Sequence, residues 1–366
     1  MKRLLIFIVA LSLIALACEG SAEVAPDPQP ATAQVADAQP KDDRILAIDV
    51  TDPANGDYDA SVTKALDAGA QALSLSLYWD EIETAPEEYA PDPNWLEIAN
   101  TYYPTHNIAV DLVLNPIDTN QNRVPADLQG LPLDDPEVIA RFNKLQDYVF
   151  SQIPDLKIVA FSIGNEIDGY LGTDAEKWAA FTAFYAKTSA HTRSLRPDLV
   201  IGTKGMFGGM VGSSASYFQT INEHSDAIFV TYYPLNDDFT VREPDTVHED
   251  FGEIITLYPV KDIYFLELGY PSSEVCNSSE AKQAEFIAET FHAWDTYAGQ
   301  IKIINFAWLN EIPASSIKSL ENYYGFSDKG FSAYLGSLGL LNEDGSEKMA
   351  FEQLKAEAEV RGWENK

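Results

Sequence analysis

Eight short apolar runs alternate with amphipathic helical stretches along this chain, and no other feature restricts its fold as strongly. The runs are 45–50 (ILAIDV), 72–79 (ALSLSLYW), 108–115 (IAVDLVLN), a strand within 156–172 (LKIVAFSIGNEIDGYLG), 199–205, 227–234, a strand within 262–273 (DIYFLELGYPSS) and 301–310. Helices are predicted between them near 57–70, 93–103, 136–153, 173–194, 215–223, 248–257 and 280–298, with a closing helix near 347–361. Thr173 and Glu176 have the spacing of a capping box at the start of one of these helices. Strands separated by helices form parallel sheets, and eight such units predict a closed (β/α)₈ barrel. A doubly wound open sheet is the competing arrangement, but no strand runs into a Gly-rich phosphate-binding turn.

The runs also end alike, on a polar or aromatic residue: Asp49, Trp79, Asn115, Glu166, Lys204, Tyr232, Glu267 and Trp308. A barrel collects such ends on one rim, where its active site sits. In the fourth run, alternation places Ile158, Ala160, Ser162 and Gly164 on one face, and Glu166 continues that face. The seventh run ends on Glu267. Glycoside hydrolysis with retention needs two carboxyl groups about 5–5.5 Å apart, one to protonate the leaving oxygen and one to attack. Glutamates ending the fourth and seventh strands meet that need. Asn165 is then placed to bond a sugar hydroxyl, and Tyr232 or Tyr233 to hold the nucleophile ionised through a phenolic hydrogen bond. Trp308 and Trp79 offer apolar faces for a sugar ring. Asn115, Asp49 and Lys204 are further rim candidates, with buried ion pairing the other reading of the last two.

The GNEI run at 164–167, the ELGYPS run at 267–272 and Trp308 within FAWLN resemble the clan A glycoside hydrolases, which are retaining (β/α)₈ enzymes. The tail at 338–354, LGLLNEDGSEKMAFEQL, is similar to the segment after the last strand in that clan. The resemblance spans the chain from about Ile45 to its end. It implies that Glu166 is the acid/base and Glu267 the nucleophile. GNEI with ELGYPS is closest in wording to the endo-β-1,4-galactanases, although the early strands lack the arginine-bearing pattern of that family. LSLYWDEIE instead resembles clan members acting on other β-linked glycans.

Composition narrows the partners. A formal charge of −33, with only five histidines to offset it, repels nucleic acid and anionic lipid and suits a neutral substrate, or a salty environment in which self-repulsion is screened. His106, His191, His224, His248 and His292 show no i, i+4 pairing, and with two cysteines no zinc signature forms, so no cofactor is expected. Lys2 and Arg3, the apolar run 4–16 and Ala17 before Cys18 read as a lipoprotein signal peptide over 1–17. Cys18 would then carry the lipid, residues 18–43 form an Ala/Pro/Asp-rich tether, and 44–366 the barrel. This predicts an exported protein anchored to a bacterial membrane or cell surface, the alternative being a secreted or periplasmic one. A non-catalytic glycan-capture lipoprotein is the competing function, although both carboxylates are present. The glycan, the linkage and the oligomeric state are not legible.

Overall fold

A computed structural model describes residues 38–363 apart from 51, 52, 54 and 55. The expected signal segment, Cys18 and the tether as far as residue 37 lie outside the described residues. Eight parallel strands form the barrel: β1 (Ile45–Ile48), β2 (Ala72–Tyr78), β3 (Ala109–Asp118), β4 (Ile158–Asn165), β5, β6 (Ile228–Tyr232), β7 (Ile263–Leu268) and β8 (Ile301–Phe306). Strand β5 comes in two pieces, Ile201–Gly202 and Lys204–Met206. The first piece pairs with β4 and the second with β6, so the ring closes across Thr203. Around it lie α1 (Tyr58–Asp67), α2 (Trp95–Thr105), α3 (Pro136–Gln152), α4 (Ala175–Leu195), α5 (Ala215–Asn222), α6 (Thr246–Leu257), α7 (Glu280–Thr296) and α8 (Met349–Arg361). This is the (β/α)₈ barrel expected from the alternation.

Part of the acidic surplus serves the helix starts, where a carboxylate can satisfy otherwise unpaired N–H groups. Asp57, Asp135 and Asp174 accept backbone hydrogen bonds at the N-termini of α1, α3 and α4. The cap of α4 is therefore Asp174, not Thr173 as the capping-box spacing suggested, because Asp174 reaches two N–H groups, those of Glu176 and Lys177. At the foot of the barrel the Asp295 carboxylate on α7 ties Arg44, just before β1, to Arg361 on α8, at 2.9 and 2.7 Å.

Two buried layers follow the period of two along each strand. Small and aromatic residues fill the barrel floor, with Ala47, Ala72 and Ala109 in one cluster and Ala160, Phe229 and Leu266 in another. Outward residues such as Leu112, Phe161, Val230 and Phe265 join the larger core beneath the helices. The alternation in β4 slips once. A register shift against β3 lets Val159 pack inside, whereas Ile158 joins the outer core, contrary to the single face expected for Ile158 and Ala160. Strand β3 also runs three residues beyond the predicted end at Asn115. Its ladder with β4 is interrupted between Leu114 and Asp118, and that gap accommodates Pro116, which has no N–H to give. The connection from β8 to α8 carries two helices the sequence reading did not predict, Ala314–Tyr324 and Lys329–Leu335.

Candidate active site

The end of β4 is built to turn. Gly164 has φ +87°, and a Cβ there would lie 2.8 Å from the Ile167 side chain. The Ser162 hydroxyl donates to the Gly164 carbonyl at 2.7 Å and accepts the Lys204 N–H at 3.1 Å, which fixes the bend against β5. Glu166 follows at φ +44°, and Thr119, facing it from the end of β3, has φ +49°. A β-branched residue in the left-handed region is an outlier, and such strain gathers at functional sites. The strained pair meets directly. Thr119 donates its hydroxyl to Glu166 Oε2 at 2.8 Å, and Thr231 on β6 donates to Oε1 at 2.7 Å.

Glu267, the penultimate residue of β7, accepts the Tyr233 phenol at 2.5 Å. Tyr334 packs edge-on against the Tyr233 ring at 5.4 Å, so the phenol is braced from behind. Beneath the two glutamates the Lys204 ammonium is buried and bonds Asp111 Oδ2 across the barrel at 2.8 Å. The charges set different environments for the two acids. Burial, with the Glu267 charge second, pushes Glu166 up to about 8 against the lowering effect of its two hydroxyl partners. Burial raises Glu267 as well, but the Lys204 charge and the Tyr233 hydrogen bond oppose it. Two carboxyl groups with environments pushed apart in this way suit an acid and an anion in one site. Asp49 is raised to about 7, by burial first and the Glu267 charge next.

Glu166, Glu267, Tyr233 and Trp308 line one cavity of about 500 Å³ at the C-terminal end of the strands. Asn165 lies beside them, its amide donating to Asp118 Oδ1 at 3.0 Å while Tyr323 donates to the other Asp118 oxygen at 2.6 Å. Other sequence candidates lie elsewhere. Tyr232 is on the opposite face from Tyr233, buried among Phe207, Phe251 and Phe265, with its hydroxyl on Asp250 at 2.7 Å. It belongs to the packing under α6 and is no sugar contact. Trp79 is corrected too. It opens a short helix, Trp79–Ile82, which swings the indole out of the barrel onto Phe142, its N–H on Glu83 at 2.6 Å, so no face is open to a sugar. Asn115 is fully enclosed, with no hydrogen-bond partner for either side-chain polar atom among the described residues. Asp49 and Lys204 lie in the charged layer below the glutamates and do not line the cavity.

Sequence reasoning missed Thr119, Thr231 and the aromatic wall supplied by Tyr324, Phe326, Phe331 and Tyr334. Thr231 was within reach, because it shares the inward face with Tyr233 and Phe229. The wall's only sequence signal is the aromatic density of residues 323–334.

The hydroxyl of Tyr233 gives a test of the charge balance. Tyr233→Phe removes one of the two groups that favour the Glu267 anion, the Lys204 charge being the other, so its protonation moves to higher pH. If hydrolysis needs that anion, the acidic limb of kcat/KM shifts upward by about one unit, and kcat falls by about 10- to 100-fold for a lost bond to a charged group. An unchanged pH profile would show that the phenol does not set the charge of Glu267.

No protein-family model matches the chain, and no curated protein matches it in sequence. Solved structures match it in fold. A GH5_18 protein from Streptomyces cattleya, in complex with GlcNAc, superposes with a TM-score of 0.70 at 14% identity, covering 89% of this chain and 81% of that one. An exo-β-1,4-mannosidase from Opitutaceae bacterium strain TAV5 matches with a TM-score of 0.67 at 15% identity over 87% of this chain, which spans only 59% of that enzyme. A family 39 glycoside hydrolase from Bacteroides cellulosilyticus WH2 matches with a TM-score of 0.60 at 14% identity, covering 88% of this chain and 65% of that one. The likeness to galactanases draws no support from these structures. What the chain shares with these glycoside hydrolases is the fold, a (β/α)₈ barrel.

Proposed function

We propose that this protein is a retaining β-glycosidase in which Glu166 is the acid/base and Glu267 the nucleophile. The observation that carries the reading is the unequal electrostatics of the pair. Both are half-buried, but Glu166 is bonded only to the Thr119 and Thr231 hydroxyls, whereas Glu267 takes the Tyr233 phenol and faces the Lys204 charge. In the first step Glu267 attacks the anomeric carbon, the bond to the leaving oxygen breaks, and the Glu166 proton passes to that oxygen. In the second, water attacks the same carbon, its proton returns to Glu166, and the Glu267 carboxylate departs. Trp308 on the cavity wall gives the sugar an apolar face. The Asn165–Asp118–Tyr323 chain stands ready for its hydroxyls.

One solved neighbour, also a GH5_18 protein from Streptomyces cattleya, holds Manβ1-4GlcNAc. β-Mannosides therefore head the substrate panel, followed by β-glucosides, β-galactosides and N-acetyl-β-glucosaminides. We further propose that the protein is exported and anchored through a lipid on Cys18, placing this activity at a cell surface. The test is covalent. A 2-deoxy-2-fluoroglycosyl fluoride of the preferred sugar should add one glycosyl mass to a peptide containing Glu267. Reversible binding with neither labelling nor turnover across the panel would instead make the barrel a capture surface.

A further inference from the structure

We infer that Thr231 and Thr119 are the positioning residues of the acid/base: each holds one oxygen of Glu166, and Thr231 also fixes that carboxyl relative to Glu267; this rests on the hydrolase reading above. In the ladder between β6 and β7, Val230 stands opposite Phe265, the register then skips Leu266, and Thr231 stands opposite Glu267. An extra residue of this kind re-aims the side chain beside it. Phe265 lies in the core beneath the helices and Leu266 on the barrel floor, so strict alternation would turn Glu267 outward. The skipped position brings it inward to the cavity, next to Thr231. From there the Thr231 hydroxyl donates to Glu166 Oε1 at 2.7 Å. One residue is thus strand neighbour to the nucleophile and hydrogen-bond partner to the acid.

The other oxygen is held from the end of β3, where Thr119 donates to Oε2 at 2.8 Å. Thr119 is itself locked onto β4. Its N–H donates to the Asn165 carbonyl at 2.9 Å, and a Cβ on Gly169 would come within 2.6 Å of its own carbonyl oxygen, so glycine alone fits that contact. Hydroxyl partners suit a group that must alternate between acid and base. A carboxylate oxygen has two acceptor sites, and protonation takes up one site on a single oxygen. Both threonine bonds therefore persist in either protonation state, whereas an arginine or lysine in their place would hold Glu166 ionised. With a donor on each oxygen, the plane of the carboxyl stays fixed while its proton leaves and returns. Removing a hydroxyl frees that plane to turn and withdraws a bond that favours the anion.

Thr231→Val in the full chain is the test, because it keeps the shape of a buried side chain and exchanges only the hydroxyl for a methyl. With an octyl β-glycoside of the preferred sugar, kcat/KM should fall by about tenfold or more. With the 2,4-dinitrophenyl glycoside, whose leaving group needs no proton, it should stay within about twofold. The basic limb of kcat/KM for the octyl glycoside should move upward by about one unit, since the Glu166 anion loses a donor. Thr231→Ser should restore both quantities. Thr119→Ala, at a half-buried position, should reproduce the selective loss from the other oxygen. Equal losses on the two substrates with an unmoved basic limb, or no loss at all, overturn the inference while leaving the hydrolase reading intact. If the wild-type chain turns over no glycoside, the hydrolase reading falls, and the hold on Glu166 is then read by ¹³C NMR titration of chains labelled at the glutamate carboxyls. The Glu166 resonance is identified by its loss in Glu166→Gln. A titration midpoint higher in Thr231→Val and Thr119→Ala than in wild type supports the inference, and unchanged midpoints overturn it.

Discussion

Glu267→Gln is expected to lower hydrolysis by at least about four orders of magnitude without disturbing the fold. The amide keeps the size of the carboxylate but carries no charge and is too poor a nucleophile to attack the anomeric carbon. No covalent intermediate forms, so the loss should be the same for activated and unactivated leaving groups. Circular dichroism and the melting temperature should remain those of the folded chain, since the position loses a half-buried charge and little volume. Turnover near the wild-type rate would remove Glu267 from the mechanism.

Glu166→Gln should behave differently, and the difference assigns the roles. A general acid contributes about 10²- to 10⁴-fold, so alkyl glycosides should lose activity on that scale. A 2,4-dinitrophenyl glycoside, whose leaving group needs no proton, should still form the covalent intermediate in a rapid burst. The substitution also carries a stability signature. The folded-state proton of Glu166 is lost near pH 8, against an ordinary value of 4.5, so between these limits the folded chain holds a proton that the unfolded chain has released. Stability contributed by that proton is complete below the lower value and disappears as pH rises through the upper one. Glutamine has nothing to ionise. The melting temperature of Glu166→Gln relative to wild type should therefore be higher at pH 9 than at pH 4, and an equal difference at both would place the burial of this carboxyl in doubt.

The barrel and the glutamate pair were legible because parallel strands covered on both faces leave continuous apolar runs that stop where the rim begins. What remained hidden had local causes. Pro116 looks like the end of a strand, so Thr119 seemed to belong to a distant loop until the ladder was seen to resume at Asp118. Tyr232 and Tyr233 are adjacent and chemically identical, and only the face they share with Val230 or Thr231 separates them. Trp79 has the composition of a sugar platform, but the short helix that starts on it turns the indole away. The helix Ala314–Tyr324 places Ile317, Leu320 and Tyr324 at helical spacing but buries no residue, and it follows the last strand where the strand–helix alternation calls for one closing helix, even though Tyr324 and the segment after it complete the cavity.

A barrel is a hoop, and a hoop yields where it is spliced. Strands β2 and β3 are joined through seven consecutive residue pairs, whereas the two pieces of β5 hold their neighbours through two pairs on one side and three on the other. Lys204, the first residue after the splice, reaches across to Asp111 on β3 and acts as a tie rod over the weak stave. Give in the wall therefore has two places, the seam at β5 and the seam between β1 and β2, where Ala47 and Ala72 are the single registered pair.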